Sequence, residues 1–218
     1  MIDRKQIASV IEHSLLRPAT SQDIETLCHE AIEHGFYAVC INPFYADKAR
    51  ELLSGSGVKV CSVIDFPLGS STTKMRVYEA IELAMKGVDE IDIVMNIGAA
   101  KDGLWDVAEN DLTSIIMATP RLIHKVILET CYLTDEEKRK ACRVCIRAGA
   151  EFIKTSTGFA EKGATVEDVR LLKDALDGRA GIKAAGGIKA LKDVIALMDA
   201  GATKIGTSSG IKILKEAV

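Results

Sequence analysis

The sequence lacks several features that mark particular classes of protein. No apolar run approaches the roughly 18 residues of a membrane-spanning helix. No basic run is present, and 28 Lys and Arg against 31 Asp and Glu give a net charge of −3, so we expect no nucleic-acid partner. The first residues, Met-Ile-Asp-Arg-Lys-Gln, are charged and no apolar stretch follows them. We therefore expect no signal peptide, no membrane partner and a cytoplasmic protein.

Metal and redox motifs are also scarce. Cys142 and Cys145 form a CxxC motif, but they lie within a helical pattern and no second CxxC is present. The four histidines show no ligand spacing around this pair, so we expect reduced, mostly buried thiols rather than a zinc or redox site. The sequence has no H-E-x-x-H motif and no Ser/His/Asp set, which disfavours a hydrolase and a metal-dependent aldolase.

What the sequence does contain is a regular alternation of short β-branched runs and longer amphipathic segments. With 48% hydrophobic and 27% charged residues, its 218 residues are typical of a globular chain that can fold as one domain, 1–218. About eight such units predict a single-domain α/β TIM (β/α)8 barrel. An open doubly wound sheet is the alternative, but no GxGxxG turn follows the first strand. The predicted strands are 13–16, 38–42, 59–66, 90–96, 124–130, 152–157, 181–187 and 203–208.

Several predicted helices have clear start and stop signals. Ser or Thr before an acidic first turn satisfies free backbone amides, and Gly just past the end allows a left-handed stop. The predicted helices begin at Ser21, at Thr72 or Thr73, at Thr134 and at Thr165, and they end at Gly35, Gly87, Gly149 and near Gly178.

Two lysines inside apolar strands are the first candidates for chemistry. Reactive groups of a barrel lie at the C-terminal ends of its strands, and a buried charge is costly unless it has a role. Lys154 follows Phe152 and Ile153, and Lys183 lies in the next predicted strand. Either could be a structural lysine in an ion pair. Two inward lysines about 4.8 Å apart would repel, which favours the neutral, nucleophilic form of the better desolvated amine.

Asp92 is the third charged residue inside an apolar strand. Alternation places Asp92 and Val94 on one side of the strand, and Ile91 and Ile93 on the other. Its carboxylate could simply neutralise a lysine. A carboxylate paired with an ammonium group can also transfer protons, which is the role we assign to it.

Glycine and serine loops after the last two predicted strands indicate a phosphate site. Phosphate sites of TIM barrels are frequently built from these two loops, where glycines let backbone amides approach the anion. The candidate residues are Gly186, Gly187, Gly206, Ser208 and Ser209. Thr157 could orient a substrate hydroxyl or satisfy a strand end, and Cys40 could be a core residue or face the site.

Four of these motifs together resemble the deoxyribose-phosphate aldolase family. They are Glu-Ile-Asp-Ile-Val with Asp92, Phe-Ile-Lys-Thr-Ser-Thr-Gly with Lys154, Ile-Lys-Ala-Ala-Gly-Gly with Lys183, and Gly-Thr-Ser-Ser-Gly from Gly206. The resemblance extends from His13 over nearly all of the chain. Its specificity lies in the joint presence of the KTSTGF and KxAGG motifs.

The resemblance implies a class I aldolase that cleaves 2-deoxyribose 5-phosphate reversibly to glyceraldehyde 3-phosphate and acetaldehyde. It implies no metal and no organic cofactor. Lys154 matches the Schiff-base lysine, Lys183 the second lysine and Asp92 the partner in proton transfer. The glycine loops and the two serines match the phosphate-binding segments. A cytoplasmic homo-oligomer, a dimer or a tetramer, is also implied.

The sequence departs from the family pattern at two places. Many members have Asp-His-Thr-Leu-Leu where this chain has Glu12-His13-Ser14-Leu15-Leu16, so Glu12 supplies the acidic group on a longer side chain. Some members end in a tyrosine that assists proton transfer, and the sequence here ends Lys-Glu-Ala-Val. We expect slower enamine protonation as a result.

Two other functions remain open from the residues alone. One is a Schiff-base aldolase that acts on a different sugar phosphate or carbonyl donor. The other is a sugar-phosphate-binding barrel without catalysis, which the presence of both lysines and Asp92 disfavours.

Overall fold

Eight parallel strands close into a barrel in a computed structural model that describes residues 3–217. Met1, Ile2 and Val218, which belong to the chain ends considered above, lie outside the described residues. Each strand pairs with the next along the chain, and the last pairs with the first. The strands are β1 Ile11–Leu15, β2 Ala38–Ile41, β3 Lys59–Ile64, β4 Glu90–Val94, β5 Ile123–Ile127, β6 Phe152–Lys154, β7 Gly181–Ala185 and β8 Lys204–Thr207.

Helices follow the strands and cover the outside of the barrel. They are α1 Arg4–Ala8, α2 Ser21–His34, α3 Ala46–Leu52, α4 Thr73–Met85, α5 Ile97–Lys101, α6 Trp105–Ala118, α7 Asp135–Ala148, α8 Val166–Leu176, α9 Leu191–Ala200 and α10 Gly210–Glu216. One-turn 3-10 helices lie at Pro43–Tyr45 and Thr130–Tyr132. The predicted single-domain TIM barrel is confirmed, and the open doubly wound sheet is excluded by the β1–β8 pairing.

The predicted helix starts are confirmed in part. The side chains of Thr134 and Thr165 accept hydrogen bonds from backbone amides of the first turns of α7 and α8. The cap of α2 is Thr20 rather than Ser21, and the side chain of Thr72 makes no capping hydrogen bond to α4.

The predicted helix stops are confirmed. Gly35 and Gly149 end α2 and α7 in left-handed conformations. Gly87 and Gly178 are left-handed two residues past the last residues of α4 and α8.

All eight predicted strands exist, with shifted bounds. β1 begins at Ile11, two residues before the predicted start, and therefore includes the buried Glu12. Most of the other strands end one to three residues early, because the backbone turns into the loops that form the open end of the barrel.

The cysteines are unpaired, as predicted. All six are free thiols, and Cys142 and Cys145 are buried on α7 against the barrel. Among residues 3–217, no helix combines the length and the apolarity that a membrane crossing requires.

Candidate active site

Asp92 lies at the centre of a cluster of buried charges inside the barrel. Its Oδ2 atom accepts hydrogen bonds from Lys154 Nζ at 2.7 Å and from Lys183 Nζ at 2.6 Å. Lys154 on β6 and Lys183 on β7 occupy the same level of the sheet, because they are paired in the register of these strands. The structure therefore brings together the three charged residues singled out from the sequence, with the carboxylate bound to both amines.

Lys183 is held as an ammonium ion by two carboxylates. Burial disfavours its charge, but Asp92 and Glu12 outweigh that effect and raise the pKa of Lys183 well above its usual value. Glu12 Oε2 accepts a hydrogen bond from Lys183 Nζ, and Glu12 is completely buried on β1. The longer side chain of Glu12 thus reaches the cluster and contacts Lys183. The sequence suggested that Lys154 and Lys183 face each other as like charges without a partner. In the structure, Asp92 Oδ2 accepts a hydrogen bond from each of them.

The carboxylates of the cluster are held ionised. Burial raises the pKa of Asp92, but Lys125, Lys154 and Lys183 together hold that pKa well below its usual value. Burial also raises the pKa of Glu12, but the charges of Lys125 and Lys183 outweigh this effect and lower that pKa below its usual value. Both carboxylates are therefore proton acceptors in the resting cluster.

Lys125 is a member of the cluster that the sequence analysis missed. It lies on β5 directly opposite Asp92 and donates a hydrogen bond to Asp92 Oδ1 at 3.0 Å. Its Nζ atom is also 2.6 Å from Glu90 Oε2 and 3.5 Å from Glu12 Oε2. The signal was present, because Lys125 interrupts an apolar strand in the same way as Lys154. Lys125 thus contacts all three carboxylates of the cluster, Glu12, Glu90 and Asp92.

Two cysteines contact Asp92 from neighbouring strands. Cys61 Sγ donates to Asp92 Oδ1 at 3.2 Å, and Cys40 Sγ lies 3.8 Å from Oδ2. The structure places Cys40 in the barrel core against Asp92 and not in the wall of the cavity described next.

The donor atoms of Glu12, Cys40, Cys61 and Asp92 all lie within 4.8 Å of one another, which is a spacing that metal ligands can have. However, lysine ammonium groups already bind the oxygens of both carboxylates. The cluster is thus a set of ion pairs in which cationic side chains occupy the positions next to the carboxylates.

A cavity of about 250 Å³ opens at the C-terminal end of the strands. It connects the Lys154 amine with the glycine and serine loops that follow β7 and β8. Gly206 also allows Lys183 to pass, since a Cβ atom there would lie 3.0 Å from Lys183 Cε. The predicted site residues that line the cavity are Lys154, Thr157, Gly186, Gly187, Gly206, Ser208 and Ser209.

Three further features of the cavity were not predicted. Arg17, after β1, and Lys189, after β7, bring positive charge to the wall that holds the glycine and serine loops. In the sequence, Arg17 and Lys189 are cationic residues close to the ends of predicted strands. Such residues are too common to be identified as site residues from the sequence alone. Near Lys154 the cavity is lined by Phe159, whose ring packs edge to face on that of Phe66 at 5.2 Å, and the Phe66 ring centroid lies 5.8 Å from Lys154 Nζ. The cavity therefore has an apolar wall beside Lys154 and a cationic, amide-rich end.

Comparison with known proteins gives the family. A model described as DeoC/LacD family aldolase matches residues 6–216. The deoxyribose-phosphate aldolase of Deinococcus radiodurans is 52% identical over 209 residues, which cover 95% of this chain and 95% of that relative. The chain belongs to the DeoC/LacD aldolase family. The resemblance found in the sequence is thereby confirmed.

Further members of the family agree over nearly the whole chain. The deoxyribose-phosphate aldolase of Dictyoglomus turgidum is 50% identical over 214 residues, 98% of each chain. Among solved structures, the aldolase QR15 has a TM-score of 0.93 at 46% identity and covers 99% of this chain and 96% of its own. The tetrameric deoxyribose phosphate aldolase from Aeropyrum pernix has a TM-score of 0.93 at 33% identity and covers 99% and 92%.

Proposed function

We propose that this aldolase cleaves 2-deoxy-D-ribose 5-phosphate reversibly to D-glyceraldehyde 3-phosphate and acetaldehyde through a Schiff base on Lys154, without a metal or an organic cofactor. The observation that carries the proposal is the Lys154–Asp92–Lys183 arrangement at the inner end of a cavity whose other end suits a phosphate. The names of the relatives support the choice of substrate.

The reaction begins with the amine of Lys154. Its neutral Nζ adds to the C1 aldehyde of the open-chain sugar, and loss of water gives an iminium ion. The C3 hydroxyl then loses its proton, and the C2–C3 bond breaks. The bonding electrons move to the iminium nitrogen to form an enamine, and glyceraldehyde 3-phosphate leaves. Protonation of the enamine at C2 and hydrolysis release acetaldehyde and restore the amine.

Asp92 and Lys183 are suited to move the protons. Asp92 Oδ2 is an acceptor 2.7 Å from the Lys154 amine, and Lys183 is a donor bound to the same oxygen. Positioned acids and bases of this kind contribute about 10²–10⁴-fold to a rate. Glu12 keeps Lys183 charged, and Lys125 holds the other oxygen of Asp92.

The phosphate is assigned to the loops after β7 and β8. Gly186 and Gly187 let backbone amides approach the anion, and Ser208 and Ser209 offer hydroxyl donors. Gly206, which the sequence placed in the loop, lies inside β8 and is paired with β1 and β7, so its contribution is the space that it leaves in the cavity. Arg17 and Lys189 add charge of the opposite sign. Binding energy from this remote group then holds C1 next to Lys154, which lowers the barrier by positioning.

The proposal extends to the assembly, which is a homo-oligomer of the whole domain, 1–218. Tyr78, Ile81 and Met85 lie on one face of α4 and are 58%, 36% and 84% exposed, and Leu104 and Val107 are exposed at the adjacent α6. A second copy of the chain is the occupant that we assign to this apolar surface, because the relative from Aeropyrum pernix is tetrameric. Light scattering on the wild type and on the double variant Tyr78→Glu/Met85→Glu tests this assembly. We expect an oligomeric wild type and a monomeric variant. A wild type that is already monomeric contradicts the proposed homo-oligomer.

The substrate also suggests where the enzyme works. A phosphorylated sugar is retained inside the cell, so we propose a cytoplasmic location. Fractionation of cells that express the full chain, with activity measured in each fraction, tests this. Activity recovered mainly outside the cytoplasmic fraction contradicts it.

The deciding experiment joins turnover with adduct mapping. The wild-type enzyme, treated with EDTA, is incubated with 2-deoxyribose 5-phosphate, and both products are measured. The enzyme is then trapped with acetaldehyde and borohydride, and its peptides are examined by mass spectrometry. We expect both products and a single adduct on Lys154. Lys154→Met should lose activity on the order of 10⁶-fold, as when a covalent nucleophile is removed.

Lys173→Met, which removes an exposed lysine of α8, is the matched control and should retain both activity and adduct. An adduct on Lys154 without cleavage of the phosphorylated sugar would instead favour an aldolase that acts on a different carbonyl donor. A folded enzyme that forms no adduct contradicts the Schiff base itself.

A further inference from the structure

Glu129 is a buried carboxyl group in an unfavourable backbone conformation outside the charge cluster around Asp92. It follows β5, is 2% exposed, and has a φ of +51° in the left-handed region. Residues other than glycine rarely adopt this conformation, and it persists only where the surroundings fix it. Here the neighbouring amides of Leu128 and Thr130 donate to the carbonyls of Lys154 and Thr155 at 3.0 and 2.9 Å.

All the hydrogen bonds that the Glu129 carboxylate makes within residues 3–217 are with Thr157. Its two oxygens each lie 3.2 Å from the backbone amide of Thr157, and Oε2 also accepts the hydrogen bond of the Thr157 hydroxyl. The Thr157 oxygen in turn accepts from the amide of Phe159 at 3.0 Å. The hydroxyl proton of Thr157 is therefore already committed, so it is not free for the acceptor oxygens of a phosphate.

Thr157 positions the loop after β6, which contains Gly158 and Gly163. Gly158 and Gly163 pack directly on Gly186, where a Cβ atom would lie 3.3 Å from Gly158 Cα and 2.9 Å from Gly163 Cα. The amide of Ala164 donates to Gly186 O at 3.1 Å. The loop after β6 and the glycine loop after β7 are thus in backbone contact, and the position of one determines the position of the other.

We propose that Glu129 is a positioning residue for phosphate recognition, which fixes Thr157 and through it the packing of Gly158 against the Gly186-Gly187 loop. This inference rests on the proposed function, because it concerns the phosphate of that substrate. Glu129 forms no hydrogen bond or ion pair with the Asp92 cluster, and both of its carboxylate oxygens bind Thr157. Its loss therefore affects a phosphorylated substrate more than the same sugar without phosphate.

The test compares 2-deoxyribose 5-phosphate with 2-deoxyribose for wild type and Glu129→Gln. We expect Glu129→Gln to raise KM for the phosphorylated sugar about tenfold, as for misplaced hydrogen bonds to a charged group, with kcat nearly unchanged. The kcat/KM for 2-deoxyribose should stay within about twofold, which is less than the cost of one hydrogen bond. Inhibition by inorganic phosphate should weaken by the same factor as KM rises.

Two further variants keep the test decisive. Glu161→Gln makes the same charge change at an exposed position of the loop after β6 and should leave the preference for the phosphorylated sugar unchanged. Thr157→Val removes the hydroxyl group that donates its hydrogen bond to Glu129. It should also lower the preference for the phosphorylated sugar over 2-deoxyribose. This variant provides the test if Glu129→Gln does not fold.

The possible outcomes are distinct. Equal losses on both sugars by Glu129→Gln and Thr157→Val, or an unchanged preference in both, overturn the positioning role. If the wild-type enzyme does not cleave 2-deoxyribose 5-phosphate at all, the proposed function fails, which is a different result from either of these.

Discussion

Lys125 stands directly opposite Asp92 in the β4–β5 register and binds its Oδ1 atom, while the other oxygen of Asp92 binds Lys154 and Lys183. Each oxygen of the carboxylate thus has its own set of lysines. Burial disfavours the charge of Lys125, but the surrounding carboxylates raise its pKa well above the usual value. Lys125 is therefore a permanent cation that fixes the orientation of Asp92.

Replacement of Lys125 by Met should destabilise the protein by about 3–5 kcal/mol, because it leaves Glu90 and Asp92 buried without their shared cation. The free energy of unfolding in urea measures this. Lys173→Met on the surface of α8 provides the baseline. The double variant Lys125→Met/Glu90→Gln should recover part of the loss, and no recovery at all would mean that packing, rather than charge, explains the effect.

Replacement of Lys183 by Met should slow the reaction by about 10²–10⁴-fold, because Lys183 is the proton donor that shares Asp92 Oδ2 with the Lys154 amine. Steady-state cleavage of 2-deoxyribose 5-phosphate measures this loss, and circular dichroism checks that the variant is folded. Borohydride trapping should still give an adduct on Lys154. A folded variant with wild-type turnover would contradict a role of Lys183 in proton transfer.

Asp92 should make the protein sensitive to acid. Its folded-state pKa is depressed below the unfolded value of about 3.9, so its ion pairs stabilise the fold fully above that value. This contribution is lost as the pH falls through the folded-state pKa. Unfolding free energies measured from pH 7 to pH 3 should fall less steeply for Asp92→Asn than for wild type. The exposed Asp174→Asn should behave as wild type, and parallel curves for all three would contradict the linkage.

Arg17 and Lys189 should contribute to phosphate binding without affecting the chemistry. Both are exposed in the cavity wall, where an ion pair is partly screened. Arg17→Gln and Lys189→Gln should each raise KM for 2-deoxyribose 5-phosphate about three- to fivefold, as expected for exposed charges, with kcat unchanged. Steady-state kinetics at low and high salt measures this. The effect should shrink as salt is added, and a salt-independent loss would point to altered loop structure.

The barrel and the three central residues could be predicted from the sequence because both rest on local patterns. A charge inside an apolar strand is visible in one segment, as for Lys154, Lys183 and Asp92. The partners of these charges are not visible in this way. Glu12 and Lys183 are 171 positions apart and meet because the ring closes between β8 and β1. The sequence named Asp92 and Glu12 as candidates but did not show that both bind Lys183.

Loop residues were the least predictable part of the site. The role of Glu129 depends on its left-handed backbone conformation. In a sequence, only glycine indicates such a conformation, so it could not be predicted for a glutamate. The glycine and serine residues of the cavity wall could be located from the sequence because such loops follow fixed strands of this fold. Whether a given threonine faces a ligand or a neighbouring carboxylate, as at Thr157, is decided by the packing of two loops that are distant in sequence.

The closure of the barrel has a consequence for how such an enzyme can diversify. Lys154 stands beside Lys183 because of backbone pairing between β6 and β7, and a ring without edges leaves no strand free to slip against its neighbour. The spacing of these two lysines is therefore inherited with the scaffold. Arg17, Lys189 and the aromatic wall lie on segments outside the ring. Mutation can remodel those segments, and with them the choice of sugar or aldehyde, while the carbon–carbon bond chemistry stays intact.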